Sequence, residues 1–518
     1  MVNVELSSCR LEIERIQEAC GVTGIFSKIG EPVSTETPSL NSKLQHRGYD
    51  SAGMAAQSDG KIKVYTKLGI VDNIFPENFN YKKRGLISTR AIGHNRYGTS
   101  GETNKDDTRG SQPIVSRYRG RELALAYNGN LPDEVRRELK LRIPKELKNS
   151  MFDTEDIANA IVSAEGDTWE ERIENGLNGI DLAYSLTILT DDGRVFGLRG
   201  PSGTWPLWYG ETDKKIIFAS ETRVYNGEDI KWKEVEPGEL VEATTDGVLK
   251  RKIFKKVPLL RCGLHDAYGA REDSLMAEGI TYATFRKELG RELAREHLID
   301  VDLIVGVPDT GLVIAEGYAE ELGRKSTILI GKNRQNEESK IRSFIAQNLA
   351  RTINIVNKKY KVDKELAKGK RVLIIDDSMI RAKTMGGHPE KGLKGVVARV
   401  RDAGATEVHV AVTLSKFVDG CDMGYYIRKE QLIAVVKDED GHYRERTEKE
   451  IAEVIGADSV HFLSIDGIKN VYGKILGKKE VACMACMGRP HPLDIIKSEK
   501  LAKEATVFSR QIYFLIDK

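Results

Sequence analysis

The chain has 518 residues, too many for one hydrophobic core, so two or three domains are expected. Its composition, 40% hydrophobic and 31% charged, is that of a globular protein, and no apolar run reaches membrane-spanning length. A net charge of +2 provides no global field for nucleic acid or an anionic membrane. The opening residues lack the apolar centre of a secretory signal. Six cysteines in so long a chain do not make a disulfide scaffold. A reducing cytoplasm is therefore expected, where cysteines serve catalysis or metal binding more often than bridges.

Residues 1–19 are polar and mildly helical and end before Cys20-Gly21-Val22-Thr23-Gly24-Ile25-Phe26. They read either as a helical arm or as a propeptide whose removal leaves Cys20 at a new N-terminus. The second reading has a chemical reason. A terminal thiol lies beside its own α-amine, whose pKa near ~8 suits a general base.

Residues 20–255 alternate short β-rich runs with Gly-rich turns. Three clusters stand out: Leu44-Gln45-His46-Arg47-Gly48-Tyr49-Asp50-Ser51-Ala52-Gly53, Gly93-His94-Asn95-Arg96-Tyr97-Gly98, and Tyr127-Asn128-Gly129-Asn130. Taken singly, each could be no more than a loop.

Residues 256–455 alternate strands with helices. Strands are expected at Leu303–Val307, Ser326–Ile330, Val372–Ile375 and Val408–Val412, with a helix from about Leu312 to Leu322. That pattern predicts a mostly parallel sheet. Val372-Leu373-Ile374-Ile375 runs into Asp376-Asp377-Ser378, a buried strand ending in carboxylates where open α/β sheets bind ligands. The pair could accept bonds from ribose hydroxyls, hold a divalent cation, or be a solvated turn. Arg342, in a polar excursion with Ser343, Gln347 and Arg351, could belong to a lid.

Residues 437–449 read as a solvated loop leading into a helix. The last stretch, 456–518, is read as a helical segment carrying Cys483-Met484-Ala485-Cys486. Alone, this Cys-x-x-Cys is ambiguous between metal, redox and accident.

Taken together, the clusters around Cys20, Arg96 and Asn128 resemble the class II glutamine amidotransferase domain. The resemblance implies an N-terminal-nucleophile hydrolase fold, with two stacked sheets between helices. It implies that Cys20 attacks the glutamine amide and that Asn128 and the Gly129 N–H form the oxyanion hole. Arg96 would bind the glutamine carboxylate and Asp153 its α-amine. The second module resembles a type I phosphoribosyltransferase. The order of the two is similar to the glutamine phosphoribosylpyrophosphate amidotransferase family, from Cys20 to about residue 490. Further matches are Arg271, Asp273, Ser274, Ala403-Gly404-Ala405 and Ile455-Gly456-Ala457-Asp458-Ser459.

This second resemblance implies ammonia transfer to phosphoribosyl pyrophosphate, giving 5-phosphoribosylamine in purine synthesis. Asp376 and Asp377 would hold ribose hydroxyls or magnesium, with Thr310 assisting at the metal. Ser378, Arg381 and Thr384 would surround the 5′-phosphate. Cys262, Cys421, Cys483 and Cys486 would hold a [4Fe–4S] cluster, zinc being the other occupant. A homodimer or homotetramer is implied.

Two departures oppose a simple transfer. The family loop Asp-Asp-Ser-x-x-Arg-Gly-Thr-Thr has Ala382 and Lys383 in place of its Gly and first Thr, and Met385–Gly392 looks inserted. Ala in a left-handed conformation costs ~1 kcal/mol or more. The family's Arg-Asp-Pro-x-Gly-x-Arg-Pro-Leu is replaced by Arg199-Gly200-Pro201-Ser202-Gly203-Thr204-Trp205-Pro206-Leu207, which removes an Asp and an Arg together. The alternative is a divergent paralogue with a disabled donor pocket, acting as a glutaminase or as a regulatory or structural subunit.

Overall fold

The computed structural model describes residues 20–97, 108–180, 182–254, 260–332, 360–388, 393–421, 425 and 427–490. Arg342 and residues 1–19 lie outside these. The chain divides into two compact units. One takes in the described residues up to Tyr282, together with Cys421–Ile427 and those from Glu480 onward. The other comprises Ala283–Gly420 and Arg428–Lys479.

In the first unit a seven-stranded sheet is built around Gly21–Ser27, which pairs antiparallel with Arg90–Arg96 on one side and Lys215–Ala219 on the other. A six-stranded sheet contains Arg121–Gly129 beside Tyr184–Thr190. Alternation along these strands makes the layers. Val22 and Phe26 share one buried cluster with Ala124 and Ala126, while Ile25 joins the separate cluster that includes Leu40 and Leu44. Leu123, Leu125 and Tyr127 instead pack with Ile157, Ile161 and Ile173 of the helices Asp153–Ser163 and Trp169–Leu177. The result is helix, sheet, sheet, helix. With a period of two, Cys20 falls in phase with Val22, and Asn128 with Ala126. Simple alternation thus puts nucleophile and amide on the inward side of their sheets. His94 links the layers, donating from Nε2 to the Tyr127 carbonyl at 3.0 Å.

In the second unit four parallel strands run in the order Leu303–Gly306, Arg371–Asp376, Glu407–Val412, Ser459–Phe462. Val372, Leu373, Ile374 and Ile375 are fully buried, as a central strand covered on both faces requires. The helix Thr310–Glu321 follows the first strand. The fourth strand lies beyond residue 455, where this module was expected to end.

The strand expected at Ser326–Ile330 is not in this sheet. Thr327 donates one backbone bond to Ile304, and Leu329 then turns back on Thr327. Ile330–Lys332 pairs instead with Tyr360–Val362 in a separate antiparallel ribbon. Val435–Lys437 and Tyr443–Glu445 form a hairpin ahead of the helix Glu448–Ile455.

Candidate functional site

The first site surrounds Cys20. Its thiol is buried and lies 3.4 Å from the backbone N–H of Tyr97, at the end of the neighbouring strand. Burial pushes the thiol's pKa up, opposed by the Tyr97 amide and by the Arg96 and Arg47 cations. A base is therefore needed to ionise it. An open cleft beside it is lined by Arg96, Tyr127, Gly129, Asp153 and Thr154 among others.

Asn128 is 1% exposed, and its Nδ2 has no hydrogen-bond partner among the described residues. A buried amide left unpaired costs stability unless a ligand completes it. Gly129 is glycine for a steric reason: a Cβ there would stand 2.6 Å from the Tyr127 hydroxyl and 2.9 Å from the Ala183 carbonyl. Arg96 is buried, with its guanidinium 5.5 Å from the Phe152 ring centre. A Cβ on Gly110 would collide with that guanidinium at 2.8 Å, so glycine also makes room here. Asp153 begins the helix Asp153–Ser163 and accepts the backbone N–H groups of Thr154 at 2.8 Å and Leu131 at 3.3 Å. Burial still holds its carboxyl above the ordinary value.

Behind Cys20 lies a buried ionic hub that motif reading did not assign. Arg47 donates through Nε to the Cys20 carbonyl at 3.1 Å and through Nη1 to Glu221 at 2.8 Å. His46 contacts the same carboxylate at 2.8 Å. Burial would raise the Glu221 carboxyl, yet the His46 and Arg47 charges and hydrogen bonds hold it well below its ordinary value. Arg47 also meets His265 Nε2 at 3.0 Å. Burial lowers His265 to about 4. Trp205, the departure from the family pattern, is buried against the edge of His265 at 5.7 Å and beside Tyr425 at 5.3 Å. Aromatic packing thus surrounds one of the positions at which this chain departs from the family pattern.

The four cysteines beyond Cys20 all fall in this unit. Cys262 and Cys483 are in-register partners on two short parallel strands. Cys421 makes an isolated bridge with Ile427, and Cys486 lies in the turn Ala485–Met487. Burial, then its sulfur neighbours Cys483 and Cys421, pushes the Cys262 thiol well above its usual value. Cys486 is raised in the same way, by burial and then by the other three. Thiols that penalise one another's ionisation are a donor set suited to a soft metal group. No three of their sulfurs lie within 4.8 Å of one another.

The second unit carries the carboxylates. Asp376 ends the central strand and Asp377 follows, both buried. Ser378 Oγ donates to Asp377 Oδ1 at 2.7 Å, and the Asp377 N–H donates to Asp376 at 3.0 Å. Burial raises Asp377 to about 6, opposed by Ser378, by the charge of Arg286 and by the Thr310 hydroxyl. The structure thus brings Thr310, Asp377 and Ser378 together. It adds Arg286, 2% exposed, which motif reading missed. The available signal was a charge in phase with the buried apolar residues Phe285, Leu289 and Leu293 of its helix. The first turn of the helix Thr310–Glu321 lies close against the central strand: a Cβ on Gly311 would meet the Ile375 carbonyl at 2.6 Å.

The loop after Ser378 keeps its left-handed residue. Ala382 has φ +53°. From there a helical hydrogen-bond ladder begins, Gly386 N–H to Ala382 O at 2.7 Å and Gly387 N–H to Lys383 O at 3.1 Å. It resumes beyond the insertion, Val396 N–H to Thr384 O at 2.9 Å and Val397 N–H to Met385 O at 3.2 Å. The ladder's phase is thus unbroken between Gly387 and Val396, where the helix Val396–Asp402 begins. Gly387, at φ +74°, pairs its strand with Lys394 at the neck. A Cβ on Gly395 would run into the Met385 carbonyl.

Comparison with known proteins assigns a family to each part of the chain. Residues 99–226 match the glutamine amidotransferase domain family and residues 285–422 the phosphoribosyl transferase domain family. An amidophosphoribosyltransferase of Bacillus subtilis is 31% identical over 502 residues, covering 96% of this chain and 99% of that one. One from Methanocaldococcus jannaschii is 32% identical, covering 94% of this chain and 100% of its own length. A solved B. subtilis glutamine phosphoribosylpyrophosphate amidotransferase, complexed with ADP and GMP, superposes with a TM-score of 0.76 at 30% identity. It covers 91% of this chain and 97% of that one. Fold and sites define a glutamine amidotransferase joined to a phosphoribosyltransferase. The chain belongs to the amidophosphoribosyltransferase family.

Proposed function

We propose that the protein hydrolyses glutamine at Cys20 and delivers the ammonia to phosphoribosyl pyrophosphate. The products are 5-phosphoribosylamine, pyrophosphate and glutamate, the first step of purine biosynthesis. The observation that carries this reading is the unpaired Asn128 amide, whose chain neighbours Tyr127 and Gly129 line the cleft with Cys20, in a chain similar over nearly its whole length to amidophosphoribosyltransferases.

Removal of residues 1–19 frees the Cys20 α-amine, which takes the thiol proton. The sulfur attacks the amide carbon, and the oxyanion is held by Asn128 Nδ2 and the Gly129 N–H. Arg96 pairs with the glutamine carboxylate as a planar fork, and Asp153 with the α-ammonium. The protonated amine passes its proton to the departing nitrogen, ammonia leaves, and water hydrolyses the thioester to glutamate. At the donor site Asp376 and Asp377 accept the ribose hydroxyls or hold magnesium with Thr310. Ser378, Arg381 and Thr384 surround the 5′-phosphate, and Arg342 contributes from the adjoining excursion. Bound magnesium would neutralise charge on the leaving pyrophosphate.

Cys262, Cys421, Cys483 and Cys486 are the ligands of a metal group. Tetrahedral zinc holds its sulfurs about 3.8 Å apart. A [4Fe–4S] cluster, also held by four thiolates, is the occupant we favour, with zinc the other. The unit that holds Cys20 is the glutaminase half, and the unit comprising Ala283–Gly420 and Arg428–Lys479 is the transferase half, in a cytoplasmic homodimer or homotetramer. No helix among the described residues is long and apolar enough to cross a membrane.

Glutamine-dependent pyrophosphate release, measured beside glutamate formation, tests the assignment. Glutamate without pyrophosphate would return the protein to the glutaminase or subunit reading. The retained left-handed Ala382 and the unbroken ladder speak against that outcome.

A further inference from the structure

We infer that His265 is a positioning residue for glutamine hydrolysis: its Nε2 fixes Arg47, and Arg47 fixes the carbonyl of Cys20. This rests on the reading that Cys20 is the glutaminase nucleophile.

A guanidinium only donates hydrogen bonds. The 3.0 Å contact between Arg47 Nη1 and His265 Nε2 therefore requires a bare Nε2 with its lone pair directed at Arg47. The ring proton then sits on Nδ1, which faces Asp266 Oδ1 at 3.6 Å. Asp266 is held in turn by Arg261 at 3.0 Å. Trp205 and Tyr282 pack on the imidazole in T-shaped contacts at centroid distances of 5.7 and 5.8 Å and restrict its rotation. Nη1 has two hydrogens, and Glu221 and His265 accept one each. The third anchor of the guanidinium is Nε on the Cys20 carbonyl, at 3.1 Å.

Arg47 is 1% exposed, so solvent cannot replace a missing acceptor. Its Nη2 has no partner among the described residues, so the guanidinium is held only through Nε and Nη1; without His265 Nε2 one of those anchors is lost and Arg47 shifts. That shift rotates the peptide plane joining Cys20 to Gly21, and with it the thiol and the adjoining α-amine. Nothing in this chain of contacts touches Arg96 or Asp153, so glutamine binding is spared while the attack geometry is not.

Two substitutions separate positioning from packing. His265→Phe keeps the ring and removes the acceptor. His265→Gln loses the ring and restores an acceptor. The expected result is a kcat for glutamine hydrolysis reduced on the order of tenfold to a hundredfold in H265F. Its glutamine KM stays unchanged, and H265Q recovers most of the rate. Phosphoribosylamine formation from added ammonia, which bypasses Cys20, stays at the wild-type level in both and reports an intact fold.

The opposite ranking, or equal rates in the two variants, overturns the inference. So does loss of the ammonia-dependent reaction in H265F, which would assign His265 to folding alone. Absence of glutaminase activity in the unsubstituted protein, its N-terminus verified by mass spectrometry, would instead remove the underlying reading.

Discussion

The N–H of Val396 donates to the carbonyl of Thr384 as though the residues between them were absent. The hydrogen-bond ladder begun by Gly386 and Gly387 therefore continues in phase with Val396 and Val397, ahead of the helix Val396–Asp402. The insertion lengthens the chain there without displacing the helix start.

Excision of residues 388–395, joining Gly387 directly to Val396, should therefore leave a folded protein. We expect a thermal midpoint within roughly 5 °C of the parent, with ammonia-dependent product formation retained. A melting curve and that assay check it. Loss of the cooperative transition would mean that the helix depends on the hairpin.

Ala382 sits at φ +53°, where a Cβ is strained. Ala382→Gly relieves that strain but loosens the unfolded chain, and the two effects partly cancel. The expected net gain is up to about 1 kcal/mol, read as a higher denaturant midpoint with unchanged slope. A lower midpoint would show that the residue is not held in this conformation in solution.

Removal of the unpaired Asn128 amide by Asn128→Ala should lower kcat for glutamine hydrolysis by about 10²–10³. KM should change little, because the donor acts on charge that develops only in the transition state. Stability should not fall, since no existing hydrogen bond to that nitrogen is broken. Steady-state kinetics beside a denaturation curve would reveal any departure.

Asp377 gives the donor site a defined pH dependence. Its carboxyl titrates at about 6, above the ordinary 3.8, chiefly because it is buried. Below pH 6 it takes up a proton and becomes a poorer acceptor for ribose hydroxyls and a poorer cation ligand. Affinity for phosphoribosyl pyrophosphate with magnesium, measured by calorimetry, should weaken by up to tenfold per pH unit below about 6. In Asp377→Asn this slope should become shallower, leaving only the share set by the ligand's own phosphates, which titrate near ~6. The sign for stability is the reverse. The folded state binds this proton more tightly, so stability contributed through this group is present below the unfolded value and lost as pH rises through 6.

How far the sequence foretold the molecule depends on the range of the interactions involved. Val372–Ile375 was legible because four apolar residues running into two carboxylates can hardly be anything but a central strand. Ser326–Ile330 was misread because its composition suits a strand, but its pairing partner is decided by a single turn at Leu329. Cys20, Asn128 and Asp153 were singled out through motifs. Arg47, Glu221 and His265 stand in or near those motifs, yet their mutual contacts join residues far apart in sequence, and no local pattern encodes them. Trp205 was visible as a departure, but its meaning depended on finding His265 and Tyr425 against it.

The excursion Cys421–Ile427 and the return at Glu480 have a practical consequence for anyone dissecting this protein. A gene fragment ending at Tyr282 would encode the whole double sheet but omit three of the four clustered sulfurs, leaving Cys262 without Cys421, Cys483 or Cys486. The glutaminase half cannot be obtained by one cut. A single-chain truncation that failed to accumulate would testify to missing segments rather than to any weakness of the sandwich itself.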